Sequence, residues 1–171
     1  MTVQDRYRQL SDAEIKIGLE VAGVGLGKVD YHAETVVLDE MSGHLFGLPA
    51  GMALPRSDLH DRIHPADWPG VERELAVLFN PADPNAVDLT HRILRDDGTM
   101  RWVRARKQVR YDDANVLADG VFAISDITTE QQAAFEAKYL IGELAHRTKN
   151  LIAVVVALVR QLRRHSTPED F

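Results

Sequence analysis

Apolar and polar positions change rhythm several times along the chain, and each rhythm predicts a different element. Ser11-Asp12-Ala13-Glu14 reads as a capped helix start, with carboxylates in the first turn where they complement the helix dipole. That helix runs to about Val21 and stops in the glycine-rich stretch from Gly23 to Gly27. Short strands fit Leu26 to Tyr31 and Thr35 to Leu38, joined by a polar turn from His32 to Glu34. Between Glu40 and Asn80 the apolar spacing is helical, but Gly and Pro interrupt it repeatedly, which predicts several short helices. From Ala86 the period becomes two: Val87, Leu89, His91 and Ile93 alternate with polar neighbours. Asp96-Asp97-Gly98 is a hairpin turn, and a second strand follows from Met100 to about Val109. A turn from Tyr111 to Asn115 leads to a third strand, Val116 to Ile124. Two strands, short helices and three more strands predict an antiparallel α+β domain.

After Asp126 the pattern changes again. Thr128 to His165 contains no Pro and one Gly, Gly142, and is long enough for a single helix of about 55 Å. Ala133, Ala137, Leu140, Leu144, Thr148, Leu151, Val155, Leu158 and Leu162 are spaced by threes and fours, the seam of a coiled coil or helical bundle. A lone helix of this length cannot bury its own seam, so a homodimer through the helix is expected. The consecutive four-residue steps Leu140, Leu144, Thr148 read either as a stutter that alters supercoiling or as a tolerated polar residue. The expected organisation is an extension over 1–10, a domain over 11–128 and a helical segment over 129–171. Arg160, Arg163, Arg164 and His165 favour a helix C-terminus, and Ser166-Thr167-Pro168 is expected to end it.

Composition narrows the function. Apolar residues make up 45% of the 171, enough for a core, while a net charge of −6 argues against a nucleic-acid partner. Cysteine is absent, which excludes disulfides and thiolate metal sites and favours the reducing cytoplasm. The N-terminus has no apolar signal region, and the longest apolar run, Leu151 to Val159, is well short of the ~20 residues of a membrane span. A cytoplasmic protein with no membrane partner is expected.

Specific motifs then enter. Asp61-Arg62-Ile63-His64-Pro65-Ala66-Asp67, His91-Arg92-Ile93, Asp97-Gly98-Thr99-Met100-Arg101-Trp102-Val103, Gly120 and Asp126-Ile127-Thr128 occur in that order, and together they resemble the PAS family. The resemblance covers about Ser11 to Thr128. It implies a five-stranded antiparallel sheet with short helices on one face, often around a small-molecule pocket. Glu143-Leu144-Ala145-His146-Arg147-Thr148-Lys149-Asn150-Leu151 resembles the phosphoacceptor box of the HWE and closely related histidine kinases, over roughly Lys138 to His165. It implies that His146 is the phosphoacceptor on the first helix of a dimerisation bundle, within a two-component system that ends on a response-regulator aspartate. The chain reaches Phe171 without a second bundle helix, an ATP-binding domain or a Gly-rich nucleotide motif. By itself it is expected neither to bind ATP nor to phosphorylate itself; ATP would act only through the ATP-binding domain of a partner.

The helix supplies chemistry for His146. An imidazole attacks a γ-phosphoryl group only with one ring nitrogen unprotonated and exposed, and His146 lies about 200° around the helix from Leu144, away from the seam. Glu143, Lys149 and Asn150 share its face. Glu143 is the candidate to accept a hydrogen bond from one ring nitrogen and leave the other as nucleophile. Arg147 and Lys149 are candidates to neutralise phosphate oxygens. In kinases of the more common type an acid follows the histidine directly; Arg147 stands there, which leaves the identity of the base open. A merely solvated charged face is the plainer alternative.

For the domain, flavin–cysteine photochemistry is excluded and no cofactor is assigned. Haem would need an axial histidine. His64 precedes Pro65 and reads as a turn or capping residue. His60 and His64 are four apart but lack a third ligand, so no metal is expected. His91 alternates with Leu89 and Ile93 and faces inward, more often as a core histidine than as a ligand, which disfavours haem. His91, Trp102 and Phe122 are the candidate pocket residues, with plain core packing as the alternative. Asp126, Ile127 and Thr128 are the candidate signal junction, with Asp126 or Thr128 capping the long helix. A PAS interaction module, or a small-molecule sensor without phosphotransfer, remains the competing function.

Overall fold

The computed structural model describes residues 10–78 and 86–165. Helix α1 (Asp12–Val21) opens on a capping box: the Ser11 hydroxyl accepts from the Glu14 N–H, and Glu14 Oε2 accepts from the Ser11 N–H at 2.8 Å. Then follow β1 (Val24–Asp30), β2 (Thr35–Leu38), α2 (Glu40–Phe46), β3 (Ala53–Pro55), α3 (Arg56–His60) and α4 (Trp68–Leu78). Strands β4 (Val87–Leu94), β5 (Met100–Tyr111) and β6 (Leu117–Asp126) lead into α5 (Thr128–His165). The chain divides after Thr128 into two units.

The strands form one antiparallel sheet in the order β3-β2-β1-β6-β5-β4. It has six strands where five are expected. The extra strand, β3, is three residues long and ends on Pro55, which cannot donate a ladder hydrogen bond and sits where a sheet tolerates that, at an edge. A run this short carries no readable periodicity. Strand β1 also begins earlier than expected, inside the glycine-rich stretch. Gly25 and Gly27 are strand residues there for packing reasons: a Cβ on Gly25 would lie 2.6 Å from the Ser42 backbone nitrogen, and one on Gly27 would lie 2.1 Å from the Phe122 ring.

Alternation decides the inner face. Val87, Leu89, His91 and Ile93 of β4 point in, as do Val103, Ala105, Lys107 and Val109 of β5 and Phe122 and Ile124 of β6. Leu45 and Phe46 of α2 and Val71, Leu75 and Leu78 of α4 join them in one core. Helix α2 is fixed to β1 through its N-cap, since Asp39 Oδ1 accepts from the Ser42 N–H and Oδ2 from the Leu26 N–H, at 2.8 and 2.9 Å. Asp67 ties the start of α4 to β4. Its carboxylate accepts from the Arg92 backbone N–H at 2.8 Å and from the Arg92 guanidinium at 2.9 and 2.5 Å.

Helix α5 has no Pro, and its single glycine, Gly142, meets nothing that a side chain would. The expected stop at Ser166 to Pro168 lies outside the described residues. So do the side chains of Leu158, Leu162, Arg160, Arg163, Arg164 and His165, and most of the 1–10 extension. Among the described residues no helix is long and apolar enough to cross a membrane.

Candidate functional site

Strand register builds a cavity inside the domain. Ala105 stands between Leu89 on β4 and Ile124 on β6, and Lys107 stands between Val87 and Phe122. Because Ala105 is small, the layer between sheet and helices is left under-filled, and about 50 Å³ remains beneath Phe46, Leu59, Ile63 and Leu75. Three basic side chains reach this otherwise apolar space: His60, His91 and Lys107.

Each of the three is shaped by desolvation. His91 is 4% exposed and its Nδ1 has no hydrogen-bond partner; burial pushes it down to about 4, and Asp67 opposes that only in part. Lys107 is 8% exposed, and burial, with a smaller push from Arg56, lowers it to about 8. Its ammonium lies 5.3 Å from the centroid of the Tyr31 ring, as does the guanidinium of Arg56. His60 is lowered by burial first and by Arg56 and Lys107 next, and its ring faces Trp68 at 5.1 Å.

Of the expected pocket residues, the structure brings His91 and Phe122 to the cavity and leaves Trp102 out of it. Trp102 alternates with the inward Val103 and so lies on the other face of β5, with the Arg92 guanidinium 5.4 Å over its ring. His60 and His64 do not share a helix face, because α3 ends at His60 and His64 Nδ1 accepts from the Ala66 N–H in the following turn at 3.2 Å. Among the described residues no cluster of three His, Asp or Glu suits a metal. Lys107 is a cavity residue not among the expected ones. The signal was present, a lysine at an inward position of an alternating strand.

The end of β6 is held by a small network. The Asp126 carboxylate accepts from the Thr128 N–H at 2.8 Å and from the Thr128 hydroxyl. Thr128 Oγ1 accepts in turn from the Trp102 N–H at 3.0 Å, and the Ile127 N–H donates to the Trp102 carbonyl at 2.8 Å. Ile127 is buried at 4% exposure. Asp126 thus caps the first free N–H of α5, while Thr128 fastens that turn to β5.

On α5, His146 is exposed, along with Arg147, Lys149 and Asn150. Glu143 is not held by the imidazole. Its carboxylate pairs with Arg147, one turn on, at 2.5 Å. The nearest polar neighbour recorded for the ring is Asn150, whose Nδ2 lies 3.4 Å from His146 Nδ1. The seam residues Leu140, Leu144, Leu151 and Val155 are 56–66% exposed within the single chain.

Comparison with known proteins agrees with this architecture. Residues 36–119 match a family model described as the PAS fold. A blue-light-activated histidine kinase of Brucella anthropi is 24% identical over 160 residues, 94% of this chain and 32% of that protein. The chain thus spans about a third of the length of this curated relative. Among solved structures, a sensory box histidine kinase/response regulator from Burkholderia thailandensis superposes with a TM-score of 0.65 at 20% identity, over 77% of this chain and 98% of that one. The N-terminal domain of a diguanylate cyclase with a PAS/PAC sensor, from Marinobacter aquaeolei, gives 0.55 at 21% identity, over 63% and 98%. Sheet order, helix placement and family model converge: the domain that precedes α5 has the PAS fold and is similar to parts of histidine kinases.

Proposed function

We propose that this chain is the sensory and phosphoacceptor portion of a two-component histidine kinase of the HWE or a closely related type, in which the PAS domain controls phosphorylation of His146. The observation that carries the reading is an exposed histidine within Glu143-Leu144-Ala145-His146-Arg147-Thr148-Lys149-Asn150, on a helix that follows directly from a PAS domain. The relative's match supports it. With 94% of the chain covered, the match extends well past Thr128, and even a shortfall wholly at the C-terminal end would leave His146 within it. The diguanylate cyclase shares the fold, so the PAS domain alone does not select an output; the helix does.

The side-chain geometry suggests how the helix serves. Asn150 Nδ2 faces His146 Nδ1 at 3.4 Å; a flip of that amide lets Nδ1–H donate to Oδ1 and leaves the lone pair on Nε2. Nε2 then attacks the γ-phosphorus of ATP held by a partner ATP-binding domain, the bond to the ADP oxygen breaks, and the new N–P bond leaves the proton on Nδ1. Arg147, oriented by Glu143, and Lys149 offer positive charge to the phosphoryl oxygens. The phosphoryl group would pass next to a response-regulator aspartate. A second copy of the chain is the natural cover for Leu140, Leu144, Leu151 and Val155. The PAS domain would act through the Asp126–Thr128–Trp102 network, where the last strand and the first turn of α5 share hydrogen bonds. The test is label transfer from ATP, through the parent kinase's ATP-binding domain, to wild-type chain and to His146→Ala; label on both would overturn the assignment.

A further inference from the structure

The cavity under Ala105 carries a charge that no carboxylate among the described residues pairs with; the Lys107 ammonium has the Tyr31 ring at 5.3 Å. Lys107 is 8% exposed, and among the described residues no carboxylate forms an ion pair with it. Of the nearby acids, Glu34 pairs with Arg56 at 2.6 Å and Asp67 with Arg92 at 2.5 Å, while Asp61 acts on His60 and not on Lys107. His91, 4% exposed, lines the same cavity with Nδ1 unpartnered, and His60 adds a third basic group. Buried ammonium groups are ordinarily paired, and buried ring nitrogens are ordinarily hydrogen-bonded. His91 Nδ1 is fully buried without a hydrogen-bond partner, and Lys107 lines the same cavity without a carboxylate among the described residues; together they mark a place for a bound group.

We propose that this cavity binds a one- or two-carbon carboxylate, its charge held by Lys107 and its carbon against the apolar wall of Leu89 and Ile124. A cation is repelled by Lys107, and a neutral molecule leaves the ammonium uncompensated. A tetrahedral dianion needs more room than the roughly 50 Å³ present. An engineered apolar cavity of about 150 Å³ takes benzene, so a third of that volume suits a ligand of two to four heavy atoms. The small, largely apolar cavity favours formate or acetate over a bare inorganic ion. This site is independent of phosphate transfer to His146, and it makes the PAS domain a sensor of a small organic acid.

The probe is sodium acetate, titrated into the full chain at constant ionic strength and followed by amide NMR. Acetamide, of the same shape without the charge, and chloride, with the charge but no carbon, are the comparators. Saturable shifts centred on Lys107 and His91 are expected with acetate, at an affinity no tighter than the ~40 µM that the ligand-efficiency ceiling sets for four heavy atoms. Acetamide, chloride and the Lys107→Met variant should each bind at least roughly tenfold more weakly. No saturable shift with acetate, equal binding of acetamide or chloride, or undiminished binding by Lys107→Met would overturn the proposal. The acetamide comparison uses the wild-type chain and so holds whatever the variant does to folding.

Discussion

Replacing Lys107 by methionine should stabilise the PAS domain at neutral pH, a counter-intuitive result for the loss of a charge. Burial lowers the lysine from 10.5 to about 8. The folded state therefore binds this proton more weakly than the unfolded chain does. The sign follows: the penalty is full below about pH 8 and relieved as pH rises toward 10.5. At pH 7 the shift corresponds to ~3 kcal/mol of destabilisation. The contact with the Tyr31 ring offsets about a third of that, on the order of 1 kcal/mol for a cation–π pair. Methionine matches the stem in volume and fills the same apolar path, so a net gain of about 2 kcal/mol is expected. Urea unfolding followed by the fluorescence of Trp68 and Trp102 reads it directly. The gain should shrink by about 2 kcal/mol between pH 7 and pH 9.5, as the wild-type lysine releases its proton. A variant less stable than wild type, or an advantage that does not change with pH, would refute the claim that this ammonium is desolvated.

Asp67→Asn should act in the opposite sense. Hydrogen bonds from Arg92 hold the carboxyl down to about 2, below its ordinary 3.8, so the variant should lose about 1–2 kcal/mol at pH 7 after screening near the surface is allowed for. That difference should close as pH falls from 3.8 toward 2, where the wild-type carboxylate becomes protonated, and paired acid titrations of the two proteins read it. Gly27→Ala places a methyl group 2.1 Å from the Phe122 ring and should destabilise by roughly 1–3 kcal/mol in urea unfolding. Glu143→Gln breaks an exposed pair with Arg147 and should shift thermal unfolding by less than ~0.5 kcal/mol while slowing phosphate transfer to His146.

Periodicity made most of this fold legible. The alternation from Val87 to Ile93 is the burial pattern of β4, and Ser11 with Glu14 is the capping box of α1. What escaped depends on partners distant in sequence. Gly25 and Gly27 read as breakers because their reason, Ser42 and the Phe122 ring pressed against them, lies on other elements. Strand β3 is too short to show a period. Trp102 and Phe122 look alike in the sequence, and only strand register separates the face with the cavity from the face with Arg92. On α5, spacing alone placed Glu143, Lys149 and Asn150 on the face of His146, but it did not say that Arg147 takes the Glu143 carboxylate. Lys107 was readable in principle, since its inward phase is plain; its meaning needed the absence of a carboxylate among its described neighbours.

The measurement closest to the central claim is the site of phosphorylation. The chain, incubated with ATP and the active ATP-binding domain of its parent kinase, should acquire acid-labile, base-stable label on one residue, His146, and His146→Ala should acquire none. Transfer of that label to a response regulator should follow. If the wild-type chain stays unlabelled while the same ATP-binding domain phosphorylates the intact parent kinase, and restoring a second bundle helix changes nothing, then the helix is not a phosphoacceptor and the PAS domain serves an interaction module instead.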